Sequence, residues 1–202
     1  MASDYLALMH RSSLVLLASI ATLALTGCSE KPWHGIALDP ASAAPPLTVA
    51  GALGLPATRF VLADLKGSVV LLYFGYTHCP DVCPTTLSDW ARAKRALGAD
   101  TAGVRYVFMS VDPQRDTPEL AAAYAKQFDV SFVGTAPSET ELTMFLRDWG
   151  IAAYPEGDPR NNDYSVAHPA HTFVVDSEGR LRLMIPPGVR GEDLAEDVRR
   201  LR

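Results

Sequence analysis

Apolar positions along this chain fall into two periods, and the most hydrophobic run marks its centre. Val69 to Phe74 carries β-branched and aromatic residues with no charge, the pattern of a strand buried on both faces of an α/β sheet. Gly75 breaks the run. Beyond it, Pro84 followed by Leu87, Trp90, Ala91 and Leu97 signals a helix that starts at or just before the proline. Val104 to Val111 is a second apolar strand, ending at Asp112-Pro113. Asp116 and Glu119 stand at capping-box spacing, with Pro118 in the first turn, and announce a helix with Leu120, Tyr124 and Phe128 on one face. Val130 to Val133 reads as a short third strand. Ser138 with Glu141 caps a further helix whose apolar residues are Leu142, Phe145, Leu146 and Trp149.

Before the central strand the pattern is weaker, and Phe60-Val61-Leu62 is the best strand candidate. Toward the end, Thr172 to Val175 and Leu181 to Ile185 flank the turn Asp176-Ser177-Glu178-Gly179 as a hairpin. From Glu192 onward acids come first and arginines last, as a helix dipole favours, with Leu194, Val198 and Leu201 facing inward. Tyr154 to Asp163 is polar and contains Pro and Gly, which suggests an exposed flap. Strands alternating with helices, closed by a hairpin and a last helix, give a three-layer α/β/α domain. Cysteines after the first core strand and a terminal ββα unit make it thioredoxin-like.

Composition narrows the function classes. The 202 residues, 48% hydrophobic, suit one domain with a short appendage. A formal charge of -5 without any basic cluster argues against a nucleic-acid partner. Three cysteines, Cys28 alone and Cys79 with Cys83, do not form a disulfide framework.

The amino terminus reads as an export signal. His10 and Arg11 precede twelve uncharged residues, Leu14 to Leu25, and then Thr26-Gly27-Cys28. Twelve is too few for a membrane span of about 20 residues. Leu25-Thr26-Gly27-Cys28 resembles the bacterial lipobox, which implies cleavage before Cys28 and lipidation of that cysteine; several acyl chains give stable anchoring. Met1 to Leu8 contains Asp4 and no basic residue, which fits an export signal poorly and leaves the start open between Met1 and Met9. The expected organisation is a signal over residues 1–28, an Ala/Pro-rich tether over 29–46 that includes a solvated His34, and a folded domain over 47–202.

The chemistry concentrates at Cys79 and Cys83. They sit where a strand's carboxyl end meets a helix's amino end, the place where open α/β sheets put their sites. Sulfurs at i and i+4 on a first helical turn, or on the loop wound into it, point to one side and converge on one atom. Free N–H groups and the helix dipole lower a thiol pKa there, which suits metal binding and disulfide exchange equally. One residue more than a C-x-x-C pair, with Asp81 between and prolines after both cysteines, leans toward a ligand pair. Thiolates select soft ions such as Cu(I) or Zn, and two of them leave a metal under-coordinated. The histidines of the folded region are His78, His168 and His171. His78 adjoins Cys79 and would be a strained partner, whereas His168 and His171 precede the last hairpin, which passes beside the cysteine loop in a thioredoxin-like fold.

Three ordered motifs carry a resemblance: Tyr73 to Leu87 (YFGYTHCPDVCPTTL), Ser110 to Glu119 (SVDPQRDTPE), and Tyr164-x-Val166-x-His168 followed by an apolar strand and Asp176-x-x-Gly179. Together they resemble the Sco/SenC family of copper-binding thioredoxin-like proteins over roughly Leu55 to Gly188. The resemblance implies copper, Cu(I) or Cu(II), on Cys79, Cys83 and His168, with His171 as the alternative nitrogen ligand. It also implies delivery to the cytochrome c oxidase subunit that carries the binuclear copper centre, on the periplasmic side of a bacterial membrane. Other periplasmic copper chaperones or thiol reductants are further expected partners. Gly67-Ser68 stands where the family usually has Gly-Lys, and Ala167 where an aspartate is common before the histidine; neither removes a ligand. A second function of another class is a thiol–disulfide oxidoreductase that cycles Cys79 and Cys83 and reduces the oxidase's copper-ligand cysteines. Asp81 and Asp112 read as capping and turn residues, and Trp90, Phe145 and Trp149 as core.

Overall fold

The computed structural model describes residues 31–50, 59–161 and 163–202. The signal, the lipobox and Cys28 lie outside them. Among the described residues no helix is long and apolar enough to cross a membrane.

Strand β4 (Val69–Gly75) is buried at every position and lies inside a six-stranded sheet. On one side it pairs in parallel with β5 (Val104–Ser110), which pairs in parallel with β6 (Val133–Thr135). On the other side it meets β9 (Thr172–Val175) antiparallel, and β9 continues through a hairpin to β10 (Arg180–Ile185). The last strand of this sheet is β1 (Ile36–Ala43), antiparallel to β10. Strands β2 (Thr48–Ala50) and β3 (Arg59–Val61) form a separate antiparallel pair. A second small pair joins β7 (Tyr154–Glu156) to β8 (Ser165–Ala167).

Helix α1 (Val82–Leu97) crosses from β4 to β5 and α2 (Pro118–Lys126) follows β5, both as parallel pairing requires. One face of the sheet sends Tyr73, Tyr106 and Phe108 against Trp90 of α1 and Tyr124 of α2. The Trp90 ring N–H donates to Thr172 Oγ1 at 3.1 Å, which ties α1 to β9 as well. The other face packs Phe74 and Phe173 on Trp149, at the end of α3 (Glu139–Asp148). Helix α4 (Gly191–Arg199) closes the domain beside α1, burying Leu194 and Val198. The layers are thus those of the expected thioredoxin-like α/β/α domain.

Several sequence expectations are corrected. Much of the segment read as a tether is folded: the compact unit runs from Trp33, and β1 completes the sheet edge. His34 does not stand free in solvent, because its Nε2 lies 3.3 Å from Glu196 and its N–H donates to buried Asp197. Helix α2 is capped by Thr117, whose hydroxyl accepts from Leu120 N–H. Asp116, expected as that cap, is buried and turned to other work. Leu120 is half exposed, and the buried face of α2 is Ala121, Ala122 and Ala125, because the helix sits close on β6 and admits only small residues. Gly134 of β6 confirms the closeness: a Cβ there would lie 2.0 Å from Ala121 O. The third strand begins at Val133 and leaves Val130 85% exposed. In α1 the inward residue is Ala93, with Ala91 only half-buried. Most of the described residues of the Tyr154 to Asp163 flap are exposed as expected, but β7 gives it a strand.

Candidate metal centre

The site forms at the carboxyl end of β4. Gly75 ends that strand, and the chain turns through Tyr76 to Cys79, where the Cys79 N–H donates to Tyr76 O at 3.3 Å. Cys79 lies in the loop before α1 and Cys83 in its first turn. A glycine is needed at 75 for space: a Cβ there would sit 2.8 Å from Cys83 Sγ, 2.8 Å from the Tyr73 ring and 2.9 Å from the Phe108 ring. The strand end and the helix start therefore approach as closely as a bare backbone permits.

His168 follows β8 directly and comes from 85 residues further along the chain than Cys83. Its Nε2 is 3.7 Å from Cys83 Sγ. The donor atoms of Cys79, Cys83 and His168 all lie within 4.8 Å of one another, the one such group among the described residues. Two metal–sulfur bonds of roughly 2.3 Å set end to end span about that distance, so small side-chain adjustments bring the three onto one ion. His171 and His78 are not in the group. His78 is exposed, with its Nδ1 3.1 Å from Thr77 Oγ1 and 3.6 Å from Asp116 Oδ1.

The imidazole is oriented before any ion arrives. His168 Nδ1 stands 3.0 Å from Pro169 O. A carbonyl only accepts, so Nδ1 carries the proton and the Nε2 lone pair is left facing the sulfurs. Tyr73 and Tyr76 meet the ring edge-on, at 5.9 and 5.5 Å between centroids.

The two thiols share a proton. Cys83 donates to Cys79, and this bond is the main reason the Cys79 thiol is held down to about 3; burial opposes it, while backbone hydrogen bonds at Asp81 and Cys83 reinforce it. The same bond, with burial and the Cys79 charge, pushes the Cys83 thiol far up. Tyr73 O–H donates to Cys83 Sγ at 3.8 Å and is itself pushed up, by burial first and then by its interaction with Cys83. The pair thus holds one thiolate and one thiol, both free of a disulfide. Binding an ion through both sulfurs expels the remaining proton.

A turn that sequence reading treated as punctuation supports the site. After β5, Asp112 to Asp116 loops back, and the Asp116 N–H donates to Asp112 O at 2.9 Å. Buried Asp116 accepts from Thr77 N–H at 2.9 Å and Ser110 Oγ at 2.6 Å, and from the Thr77 hydroxyl, which anchors the loop two residues before Cys79. Buried Asp112 pairs with Arg115 and accepts from Tyr164 O–H at 2.7 Å. Burial pushes the Tyr164 phenol up to about 12, and the Asp112 bond and charge add to the shift. Arg115, Asp116 and Tyr164 lay inside quoted motifs, but only the S-x-D-P-x-x-D spacing hinted at their work. Asp81, by contrast, stands at the helix start without a side-chain capping bond.

A dithiol at a strand-to-helix junction, faced by a pre-oriented imidazole on a thioredoxin-like scaffold, defines a protein built for a soft metal ion or for thiol chemistry. The SCO1/SenC family pattern matches residues 57–202. The chain belongs to that family. Its fold matches the copper-bound structure of Bradyrhizobium japonicum ScoI with a TM-score of 0.71 and 30% identity, covering 80% of this chain and all of that one. Apo Sco1 of Thermus thermophilus matches with a TM-score of 0.72 and 35% identity, over 86% of this chain and 99% of that one. Among curated relatives, an SCO2-like protein of Rickettsia felis is 32% identical over 118 residues, 58% of each chain. The matched part thus spans less than two thirds of that relative's length.

Proposed function

We propose that this protein is a copper metallochaperone. It holds copper on Cys79, Cys83 and His168 and delivers it to the oxidase subunit that carries the binuclear copper centre. The observation that carries the reading is the convergence of two sulfurs and one imidazole nitrogen within 4.8 Å. Soft thiolate ligands with one neutral imidazole suit copper, and no carboxylate joins the group to favour a hard cation. The copper-bound ScoI structure supports the choice of metal. A three-ligand site leaves one side of the ion open, so an acceptor's ligand attacks there before any bond to the chaperone breaks. Copper is cargo in this scheme, and the oxidase as recipient follows from the three motifs that resemble the Sco/SenC family. The lipobox-like Leu25 to Cys28 supports attachment to a bacterial membrane through Cys28, facing the periplasm.

The thiolate on Cys79, stabilised by the Cys83 thiol, favours a second reading as a thiol–disulfide oxidoreductase. Copper titration of the domain separates the two. Cys79→Ser, Cys83→Ser and His168→Ala should each weaken copper binding at least about 10-fold, as the loss of a direct ligand exceeds typical losses from supporting groups. Unchanged binding by His168→Ala together with retained disulfide exchange would establish the reductase. For the anchor, Cys28→Ser should move the mature protein into the soluble fraction, and unchanged membrane retention refutes lipidation.

A further inference from the structure

We infer that Arg115 is the positioning residue of the third ligand: through Tyr164 it fixes the distance between His168 and the two sulfurs. The inference rests on the three-ligand reading above and adds what makes that geometry hold. His168 needs such a device because β8, which it directly follows, pairs only with exposed β7 in a two-stranded ribbon outside the main sheet. Three residue pairs on an exposed partner hold a strand weakly. Val166 of β8 is buried and its backbone meets Tyr76, and the most extensive tie to the body of the protein is Tyr164, four residues before the histidine.

Every part of Tyr164 is gripped by the turn after β5. Its hydroxyl donates to Asp112 Oδ1 at 2.7 Å. Its carbonyl accepts from an Arg115 terminal nitrogen at 2.9 Å. Its ring lies under the Arg115 guanidinium at 3.5 Å. Arg115 is in turn paired with Asp112 through Nε, and its side chain is only 7% exposed. One planar cation therefore donates to a carboxylate and a carbonyl and stacks on a ring at once, which an ammonium cannot do. A second route runs through Tyr76, whose ring is 5.7 Å from the guanidinium and meets the His168 ring at 5.5 Å. The Cys79 side of the site hangs on the next residue, Asp116, through Thr77. Neighbouring residues of one turn thus hold the two halves of the centre in register, and neither is itself in the three-residue ligand group.

The test is a double-mutant comparison with His168→Ala. Tyr164→Phe deletes one hydroxyl and keeps the ring. Arg115→Lys keeps the charge and loses the fork, and it is scored only if its far-UV circular dichroism matches wild type. Cu(I) affinity is measured by competition with a chromogenic chelator, and nitrogen coordination by the hyperfine pattern of the Cu(II) form. Each single variant should bind copper about 10-fold more weakly and show a diminished nitrogen signature. Placed on His168→Ala, the same changes should add nothing, because the ligand they position is gone. An equal loss in both backgrounds, or no loss from either Arg115→Lys or Tyr164→Phe in the wild-type background, overturns the inference and leaves the three-ligand reading standing. Wild-type affinity in His168→Ala alone overturns that reading, and this one with it.

Discussion

Two turns in this molecule are built alike and sit at opposite ends of the sheet. Asp112 to Asp116 follows the carboxyl end of β5, and Asp176 to Gly179 joins β9 to β10 at the far end of the antiparallel neighbour of β4. Each centres on a buried aspartate whose oxygens accept backbone N–H groups or hydroxyls and pair with arginine. Asp112 and Asp116 serve Arg115, Tyr164, Thr77 and Ser110. Asp176 accepts from Glu178 N–H at 3.0 Å and Arg180 N–H at 2.9 Å, and pairs with Arg180 and Arg182. The far turn's aspartate side chain stays within its own hairpin, and the turn's carbonyls at Ser177 and Gly179 accept from Gly67 and Ala44 N–H, in segments that carry no ligand. The near turn reaches out to two other loops, each carrying ligands. The same local device becomes functional by what its side chains reach, and its composition alone does not tell the two apart.

The largest effect comes from disturbing the site end without touching either turn. Gly75→Ala places a Cβ against Cys83 Sγ, the Tyr73 ring and the Phe108 ring, all buried and all within 2.9 Å. Nothing there is a flexible chain end, so the variant should lose about 3 kcal/mol in urea denaturation, the upper part of the range for overpacking. Adding Cys83→Ala removes the sulfur and should recover part of that loss. At the far turn, Gly179→Ala meets only the Lys66 side chain at 3.2 Å, and its cost of about 1 kcal/mol comes from a φ of +83. Equal losses at the two glycines would remove the argument that the site is packed to the limit.

Next in size is a matched pair of aspartate deletions. Asp116→Ala leaves the Thr77 N–H and two hydroxyls without their acceptor, and Asp176→Ala does the same to two N–H groups and two guanidinium groups. Each should cost about 2 kcal/mol, the penalty for stranding buried donors. The comparison sharpens in the second readout: Asp116→Ala should also weaken copper binding, and Asp176→Ala should leave it unchanged. A loss of copper affinity of the same size in both would mean that the site senses global stability and not its own turn.

Why one turn was legible in sequence and the other's role was not follows from the range of the contacts. Elements that rest on neighbours a few residues apart were readable: β4 from its unbroken apolar run, α3 from Ser138 and Glu141, whose reciprocal bonds form, and the last hairpin from Asp176 to Gly179. The cysteine pair was readable for the same reason. Spacing leaves the nitrogen ligand open between histidines, and only the resemblance of the three motifs to the Sco/SenC family singles out His168. Asp116 fits a cap by position, while half-buried Thr77, 39 residues away, claims its carboxylate. Arg115 and Tyr164 meet across 49 residues, a separation that no periodicity encodes. The strand at Ile36–Ala43 was hidden because its composition, Ala and Pro with scattered polar residues, is that of a linker, and pairing with β10 supplies what propensity does not.

The smallest expected effect is a pH dependence confined to the far turn. Burial alone would raise the Asp176 pKa, but the Arg180 N–H and the guanidinium groups of Arg180 and Arg182 outweigh it and hold the carboxyl below its ordinary value. A carboxyl depressed in the folded state binds fewer protons there than in the unfolded chain, so its contribution is complete above the unfolded pKa of about 3.9 and is lost as pH falls through the lower folded value. Asp176→Asn should therefore be less stable than wild type at pH 7, and the gap should narrow as the pH falls below about 4. Urea denaturation at a series of pH values measures it. Copper affinity at pH 7 should not move, since this carboxylate reaches no group that positions a ligand. A gap that stays constant down to pH 3 would show that the turn is held by its backbone bonds and that the arginines contribute little, which would end the likeness between the two turns on which the comparison stands.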